Sequence, residues 1–342
     1  MAPVDVFVVD DSAVVRGLIA KGIADDPEIR VIGSAADGRS ALTLMKALHP
    51  DVVLLDVEMP VMNGLEALPQ ILAAHPEASV IMASALTRRH AGMSLRALQL
   101  GAADYVPKPD AADGASALPA FLDELRAKIK AHARSRRRVK AAPAVSAGLK
   151  KLKPAAVAIA ASTGGPPALL KVFTRAKGRI RTPVFITQHM PASFTAMLAE
   201  QLGDVSGARA CEGGEGMMVE PGRIYVAPGG KHMLAERLGA RVVIRLSDEA
   251  PENFCKPAAD PMLRSLARVY GAGLLACVLT GMGRDGAEGC VAVADAGGHF
   301  FAQDEATSVV WGMPGAAIRT GRAMGQLSLD DAAVYLADAM AA

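Results

Sequence analysis

Residues 157–170 read VAIAASTGGPPALL. A short apolar run meets Ser-Thr-Gly-Gly-Pro-Pro and then an Ala-Leu-Leu segment that starts a helix. An unbroken apolar run bounded by a turn is what a strand buried on both faces requires. Strand, Gly-rich turn and helix in succession open a βαβ unit, so the stretch predicts a parallel sheet flanked by helices. Such a turn either cradles a phosphate on backbone N–H groups or lifts a nucleophilic side chain, here Ser162, out of the sheet edge. The phosphate reading is weak. No lysine follows Gly164-Gly165 as a Walker-type loop demands, and this turn does not read G-x-G-x-x-G. Pro166 and Pro167 also remove N–H donors where a cradle needs them.

Two more apolar runs end in chemistry. TPVFITQHMP (182–191) delivers His189, and AGLLACVLTGMGRDGAEG (272–289) leads into a Gly-punctuated turn carrying Asp285. Parallel sheets assemble their sites beyond the carboxyl ends of the strands. A serine hydroxyl becomes a nucleophile when an imidazole takes its proton, and the imidazole needs a carboxylate to fix its tautomer. Singly, each residue has a plainer role: Ser162 and Asp285 as helix caps, His189 as a satisfied turn histidine. Three at strand ends together favour a Ser-His-Asp set, with His232 in PGGKHML the nearest competitor for the base. Ala160 stands where G-x-S-x-G needs its first glycine, and the chain order is Ser, His, Asp. That excludes an ordinary α/β-hydrolase fold but not the chemistry. The turn TGMGRDG offers backbone amides for a developing oxyanion.

The N-terminal part alternates strand and helix patterns. DVFVVDD (5–11), DVVLLDVEMP (51–60), SVIMASALT (79–87) and ADYVPKP (103–109) are separated by helical stretches such as AVVRGLIAKGIA and LEALPQILAAH. Their carboxyl ends carry Asp10 and Asp11, Asp56, Ser84 and Thr87, and Lys108. Three carboxylates at one sheet edge repel unless a divalent cation joins them, and an all-oxygen set suits Mg²⁺. Lys108 and Ser84 are placed to neutralise and hydrogen-bond a phosphoryl group.

Charge divides the chain. Residues 1–125 hold 9 Lys/Arg against 17 Asp/Glu, residues 126–153 hold 11 basic and no acidic residues, and residues 154–342 hold 17 against 18. The middle segment begins as the end of an amphipathic helix and dissolves into Ala, Pro, Ser and Lys. It is expected to be a basic interdomain linker that docks on the acidic first domain. It lacks aromatic residues and any DNA-reading module around it, so no nucleic-acid partner is expected. Cys211, Cys255, Cys277 and Cys290 form no C-x-x-C pair, which speaks against zinc and for free thiols in a reducing compartment. The start carries no signal-peptide pattern and no apolar run is long enough to span a bilayer, so a cytoplasmic location without membrane insertion is expected.

Residues 1–125 resemble a response-regulator receiver domain through VVDDS (8–12), LLDVEMPVMNGLEAL (54–68), SAL (84–86) and VPKP (106–109). The resemblance implies a flavodoxin-like fold with Asp56 as phosphoryl acceptor. It further implies Asp10, Asp11, Asp56 and the Glu58 carbonyl around Mg²⁺, with Ser84 and Lys108 as the phosphate-responsive pair. Residues 154–342 resemble the catalytic domain of chemotaxis protein-glutamate methylesterases. The stretches are ASTGGP (161–166), QHMP (188–191), IYVAPGGKHM (224–233), LTGMGRDGA (279–287) and GGHFFAQDEATSVVWGMPGAAI (297–318). Two doubly wound α/β domains are then expected, the second Rossmann-like. The resemblance implies Ser162 as nucleophile, His189 as base, Asp285 as its orienter, the Met282 N–H as oxyanion donor and Thr163 beside the nucleophile. It implies no cofactor for the ester chemistry, methylated chemoreceptors as substrates, deamidation of receptor glutamines, and a histidine kinase as phosphodonor, with the receiver gating the esterase. One segment departs: FCKPAADPML (254–263) has Ala258 where the family usually carries serine. The rival reading is a phospho-switched binding protein, or a nucleic-acid-binding regulator using the basic segment.

Overall fold

Strand β1 (Val4–Val9) is buried along almost its whole length, as a strand covered by helices on both faces must be. A computed structural model describes residues 2–85, 88–109, 117–139 and 149–341. Leu86, Thr87 and residues 140–148 of the basic segment lie outside the described residues. The chain divides into two units, Met1–Lys140 and Ala141–Ala342.

In the first unit β1 is followed by α1 (Ala13–Ala24), β2 (Ile29–Ala35), α2 (Gly38–Leu44), β3 (Val52–Asp56), α3 (Gly64–Ala74), β4 (Ser79–Ala85), α4 (Arg88–Gln99), β5 (Asp104–Lys108) and α5 (Ala117–Val139). All strands are parallel in the order β2-β1-β3-β4-β5. The order reverses between β1 and β3, so Asp10 and Asp56 leave the sheet side by side at its switch point. Polar caps start the helices: Ser12 and Asp37 accept from backbone N–H groups of α1 and α2, and Asn63 with Glu66 forms a capping box on α3. A Cβ on Gly64 would lie 2.1 Å from the Asp56 carbonyl oxygen, so only glycine lets α3 start this close to β3.

Helix α5 runs past the boundary expected at residue 125. Leu125, Ile129 and Ala133 join the core formed by Val6, Val8, Leu54 and Ile81. On the same helix Lys128 and His132 reach the buried Asp104, at 3.3 and 3.1 Å. Lys130 pairs with Asp26 and Glu28, and Arg134 with Glu28. The first half of the basic segment is therefore a helix of the acidic unit, because its apolar stripe and its cations both find partners there.

The second unit runs β6 (Ala156–Ala161), α6 (Gly165–Arg175), β7 (Val184–Gln188), α7 (Ala192–Ser206), β8 (Arg209–Glu212), β9 (Arg223–Val226), β10 (His232–Leu238) and β11 (Arg241–Ser247). It continues with α8 (Ala259–Tyr270), β12 (Leu274–Val278), α9 (Ala287–Asp295), β13 (His299–Gln303), α10 (Gly312–Arg319), β14 (Gln326–Leu327) and α11 (Leu329–Met340). Seven parallel strands lie in the order β14-β13-β12-β6-β7-β9-β8. Both units are thus the parallel α/β sheets the alternation predicts. Ala156, Ala158 and Ala160 line one core with Phe185, Tyr225, Met262, Leu266 and Phe300, where Phe185 and Tyr225 stack at 5.5 Å. The antiparallel hairpin β10–β11 stands outside the sheet and is tied to α8 by the Ala235 N–H bonding to Ser265 Oγ.

Asp104 is the buried charge on which α5 turns. Burial works against its ionised form, but Lys128 and His132 outweigh it and hold its pKa at about 2. Asp104→Asn leaves Lys128 without its buried partner and is expected to cost about 3–5 kcal/mol in urea unfolding of the chain. Because the folded pKa is depressed, the stabilisation is complete above the ordinary value of 3.8 and is lost as pH falls towards about 2. The loss of stability in that window is expected to be smaller in Asp104→Asn than in the wild type by the share that Asp104 contributes.

Candidate active site

Ser162, His189 and Asp285 follow three neighbouring strands, β6, β7 and β12, with β6 in the middle. Strand order reverses at β6, which makes this edge the switch point of the sheet. The backbone ladder continues beyond the strands: Leu279 N–H donates to Ala160 O at 2.9 Å, Ser162 N–H to Thr280 O at 3.0 Å, and His189 N–H to Ala161 O at 3.2 Å. The sheet register therefore sets where the three side chains start. Gln188 Nε2 adds bonds to the Ser162 and His189 carbonyls at 3.0 and 3.2 Å. Gly281 keeps the two loops in contact, since a Cβ there would lie 2.9 Å from Ser162 Cβ.

His189 Nε2 lies 2.8 Å from Asp285 Oδ2. A carboxylate only accepts, so Nε2 carries the proton. Asp285 is itself anchored by the start of α8. Its Oδ2 accepts from the Ala259 N–H at 2.5 Å, and its Oδ1 from the Asp260 N–H at 3.1 Å and Asn253 Nδ2 at 3.2 Å. The expected alternative, a cap for the helix near Gly286, holds only in the single bond from the Gly286 N–H at 3.0 Å. The helix it serves chiefly is α8, whose own N-cap, Ala258, has no side-chain cap. The first N–H groups of α8 are met by the Asp285 carboxylate, favoured by the helix dipole, so Ala258 at the N-cap does not leave them without a partner. Burial disfavours the Asp285 anion, yet the His189 bond and the N–H groups of Ala259 and Asp260 hold its pKa below the ordinary value.

Behind it sits a second buried carboxylate. Asp260 accepts from the Gly289 N–H at 2.6 Å and from Asn253 Nδ2 at 2.9 Å. Burial, and then the charge of Asp285, push its pKa up to about 6. Asn253 bridges the two carboxylates from a left-handed backbone position, φ 52°. Its role was not legible in the sequence, because a lone Asn in PENF carries no spacing signal.

His232 is not a candidate base in this geometry: Nδ1 accepts from the Ala258 N–H at 3.1 Å and Nε2 lies 3.1 Å from the Ala250 carbonyl. It is a satisfied structural histidine. The Ser162 hydroxyl bonds to none of the described residues, and the remaining nitrogen of His189, Nδ1, faces Cys255 Sγ at 3.3 Å. The N–H groups of Thr163 and Met282 donate to none of the described groups. The side chain of Met282 is 43% exposed, and that of Phe254, beside Cys255, is fully exposed.

In the first unit the carboxylate oxygens of Asp10, Asp11 and Asp56 lie within 4.8 Å of one another. Lys108 Nζ pairs with Asp10 at 2.6 Å and Asp56 at 2.8 Å. Asp56 is raised above the ordinary carboxylate value, chiefly by burial and also by Asp10, against the pull of Lys108. An oxygen-only set with one exposed member, Asp11, fits a hard cation that keeps some of its waters. Glu58, two residues past Asp56, is exposed. Ser84 is not turned to the carboxylates: its Oγ is fully buried and lies 2.6 Å from Ser94 Oγ on α4.

Residues 157–336 match the family model described as CheB methylesterase, and residues 6–118 the one described as response regulator receiver domain. A protein-glutamate methylesterase/protein-glutamine glutaminase of Azospirillum brasilense is 45% identical over 98% of this chain and 92% of its own length. One from Paramagnetospirillum magneticum is 45% identical over 97% of this chain and 94% of its own length. Among solved structures, the Thermotoga maritima CheB methylesterase catalytic domain is 33% identical with a TM-score of 0.52, covering 56% of this chain and 99% of that one.

His189 is pulled in two directions. Burial lowers its pKa, while the bonds to Asp285 and Cys255 raise it further, to about 9. An NMR titration of the imidazole is expected to show that midpoint in place of 6.5. Asp285→Asn removes the main raising partner and is expected to drop it by about two units or more; an unmoved midpoint would refute the assigned pairing.

Proposed function

The chain belongs to the CheB methylesterase family, with a receiver domain ahead of the catalytic one, and we propose that it hydrolyses glutamate methyl esters on chemoreceptors when its receiver is phosphorylated. The same acyl chemistry deamidates glutamine, as the names of its relatives state of them. The observation that carries the mechanism is the His189–Asp285 pair, seated on the N-terminus of α8 beside the Ser162 turn.

Ser162 Oγ attacks the γ-carbonyl of the ester while the neutral form of His189, the minority form below its midpoint of about 9, takes its proton at Nδ1, the nitrogen not held by Asp285. The Ser162–His189 hydrogen bond forms when substrate docks, as such bonds commonly tighten in the reacting complex. Asp285 steadies the imidazolium, and the open N–H groups of Met282 and Thr163 receive the oxyanion. The proton returns to methoxide, methanol leaves, and water activated by His189 frees the glutamate. No step of this sequence calls on a cofactor.

In the receiver, Asp56 accepts the phosphoryl group from a histidine kinase. Asp10, Asp11, Asp56 and the Glu58 carbonyl would hold Mg²⁺, which would supply positive charge to offset the phosphoryl oxygens. Lys108 then exchanges its carboxylate partners for the phosphoryl group, and Ser84 leaves Ser94 to donate to it. The expected location is the cytoplasm, and no helix among the described residues is long and apolar enough to cross a membrane.

Methanol release from methylated receptor membranes, with and without a small phosphodonor, tests the reading. The donor is expected to stimulate the wild type and leave Asp56→Asn at its basal rate. Ser162→Ala is expected to lose about 10⁴-fold or more, and wild-type-like release from that variant would sink the mechanism.

A further inference from the structure

The four cysteines differ in what surrounds them. Cys277 and Cys290 are buried, and burial pushes both thiols up. Cys211 is half-buried and its Sγ accepts from Arg223 at 3.2 Å. Cys255 is half-buried too, but its Sγ lies 3.3 Å from His189 Nδ1, and the opposite nitrogen of that ring is held 2.8 Å from Asp285. Thiol, imidazole and carboxylate in this order form the arrangement that activates a sulfur nucleophile.

The loop holds the thiol there. Glu252 and Cys255 exchange two backbone hydrogen bonds, at 3.1 and 2.9 Å, and Glu252 is gripped by both Nη atoms of Arg264 at 2.6 Å. Asn253 and Phe254 between them both take left-handed φ values, 52° and 65°. For a bulky side chain such as Phe254 that conformation persists only where its surroundings impose it. Phe254 is fully exposed to solvent, and Cys255 beside it is half-buried.

We propose that Cys255 is a covalent modification site, reactive towards hydroperoxides and soft electrophiles, whose modification turns the esterase off by withholding His189 from Ser162. The inference rests on the Ser162–His189–Asp285 reading above. The proton of Sγ passes to Nδ1 of the neutral His189 imidazole, and the thiolate attacks one oxygen of the peroxide. An S–O bond forms and the O–O bond breaks. The departing hydroxide takes the proton from Nδ1 and leaves as water. Sulfur loses two electrons, the peroxide gains them, and Cys255 becomes a sulfenic acid, which thiols reduce. The enlarged sulfur group occupies the side of the imidazole that Ser162 needs.

The test treats the full-length chain with iodoacetamide, or with hydrogen peroxide and then dithiothreitol, and reads modification by peptide mass and activity by methanol release. Cys255 is expected to be alkylated at least tenfold faster than Cys211, with activity falling in step by tenfold or more. Dithiothreitol is expected to restore the peroxide-treated enzyme. The rate of Cys255→Ala is expected to be the same before and after treatment. His189→Gln is expected to slow alkylation of Cys255 tenfold and leave Cys211 unaffected. In the wild type the pH dependence of Cys255 labelling reports the same coupling without any variant. Labelled Cys255 with full activity, or labelling indifferent to His189→Gln, would overturn the proposal. A chain that labels as expected but releases no methanol before treatment would instead overturn the esterase reading, and with it the switching role.

Discussion

The catalytic unit depends on one carboxylate. Asp285 sits where β12 ends, yet it is the start of α8 that receives its charge, through the N–H groups of Ala259 and Asp260. A buried anion without partners would cost several kcal/mol, whereas one on a helix N-terminus is stabilised by the dipole and by hydrogen bonds. That anchoring lets Asp285 hold His189 in one tautomer. It also links the sheet edge to α8 and, through Asn253, to the second carboxylate Asp260. Asp260 is raised to about 6 chiefly by its burial and then by the charge of Asp285 packed beside it.

The two units solve the same problem on different sheets. In each, the chain reverses its strand order beside a central strand, and the loops at that crevice carry the reactive side chains. In the receiver the crevice gathers like charges, Asp10, Asp11 and Asp56, with Lys108 as the resident cation. In the catalytic unit it gathers a hydroxyl, an imidazole and a carboxylate, the last two paired at 2.8 Å.

Strand-end chemistry was legible because apolar runs in a parallel sheet are long, unbroken and end at turns. Asp10, Asp56, Lys108, Ser162, His189 and Asp285 all followed from that pattern. What surrounds them did not. Asn253, Cys255 and the anchoring of Asp285 on α8 come from a loop with no periodicity, brought near only by the fold. The hairpin β10–β11 lies outside the sheet, so the βα alternation did not announce it. The domain edge read from charge falls inside α5, because charge composition records where cations begin. It does not record that Ile129 and Ala133 continue an apolar stripe into the core. Ser84 lies near the end of β4, but its pairing with Ser94 depends on how α4 packs.

The account holds that the imidazole fixed by Asp285 serves Ser162, although in the resting chain its open nitrogen faces Cys255. The most direct measurement is peptide mapping of the chain acid-quenched within milliseconds of mixing with methylated receptor. An ester-linked receptor fragment on the peptide containing Ser162 is the expected result. A thioester-linked fragment on the peptide containing Cys255, with Ser162 unmodified, would contradict the account.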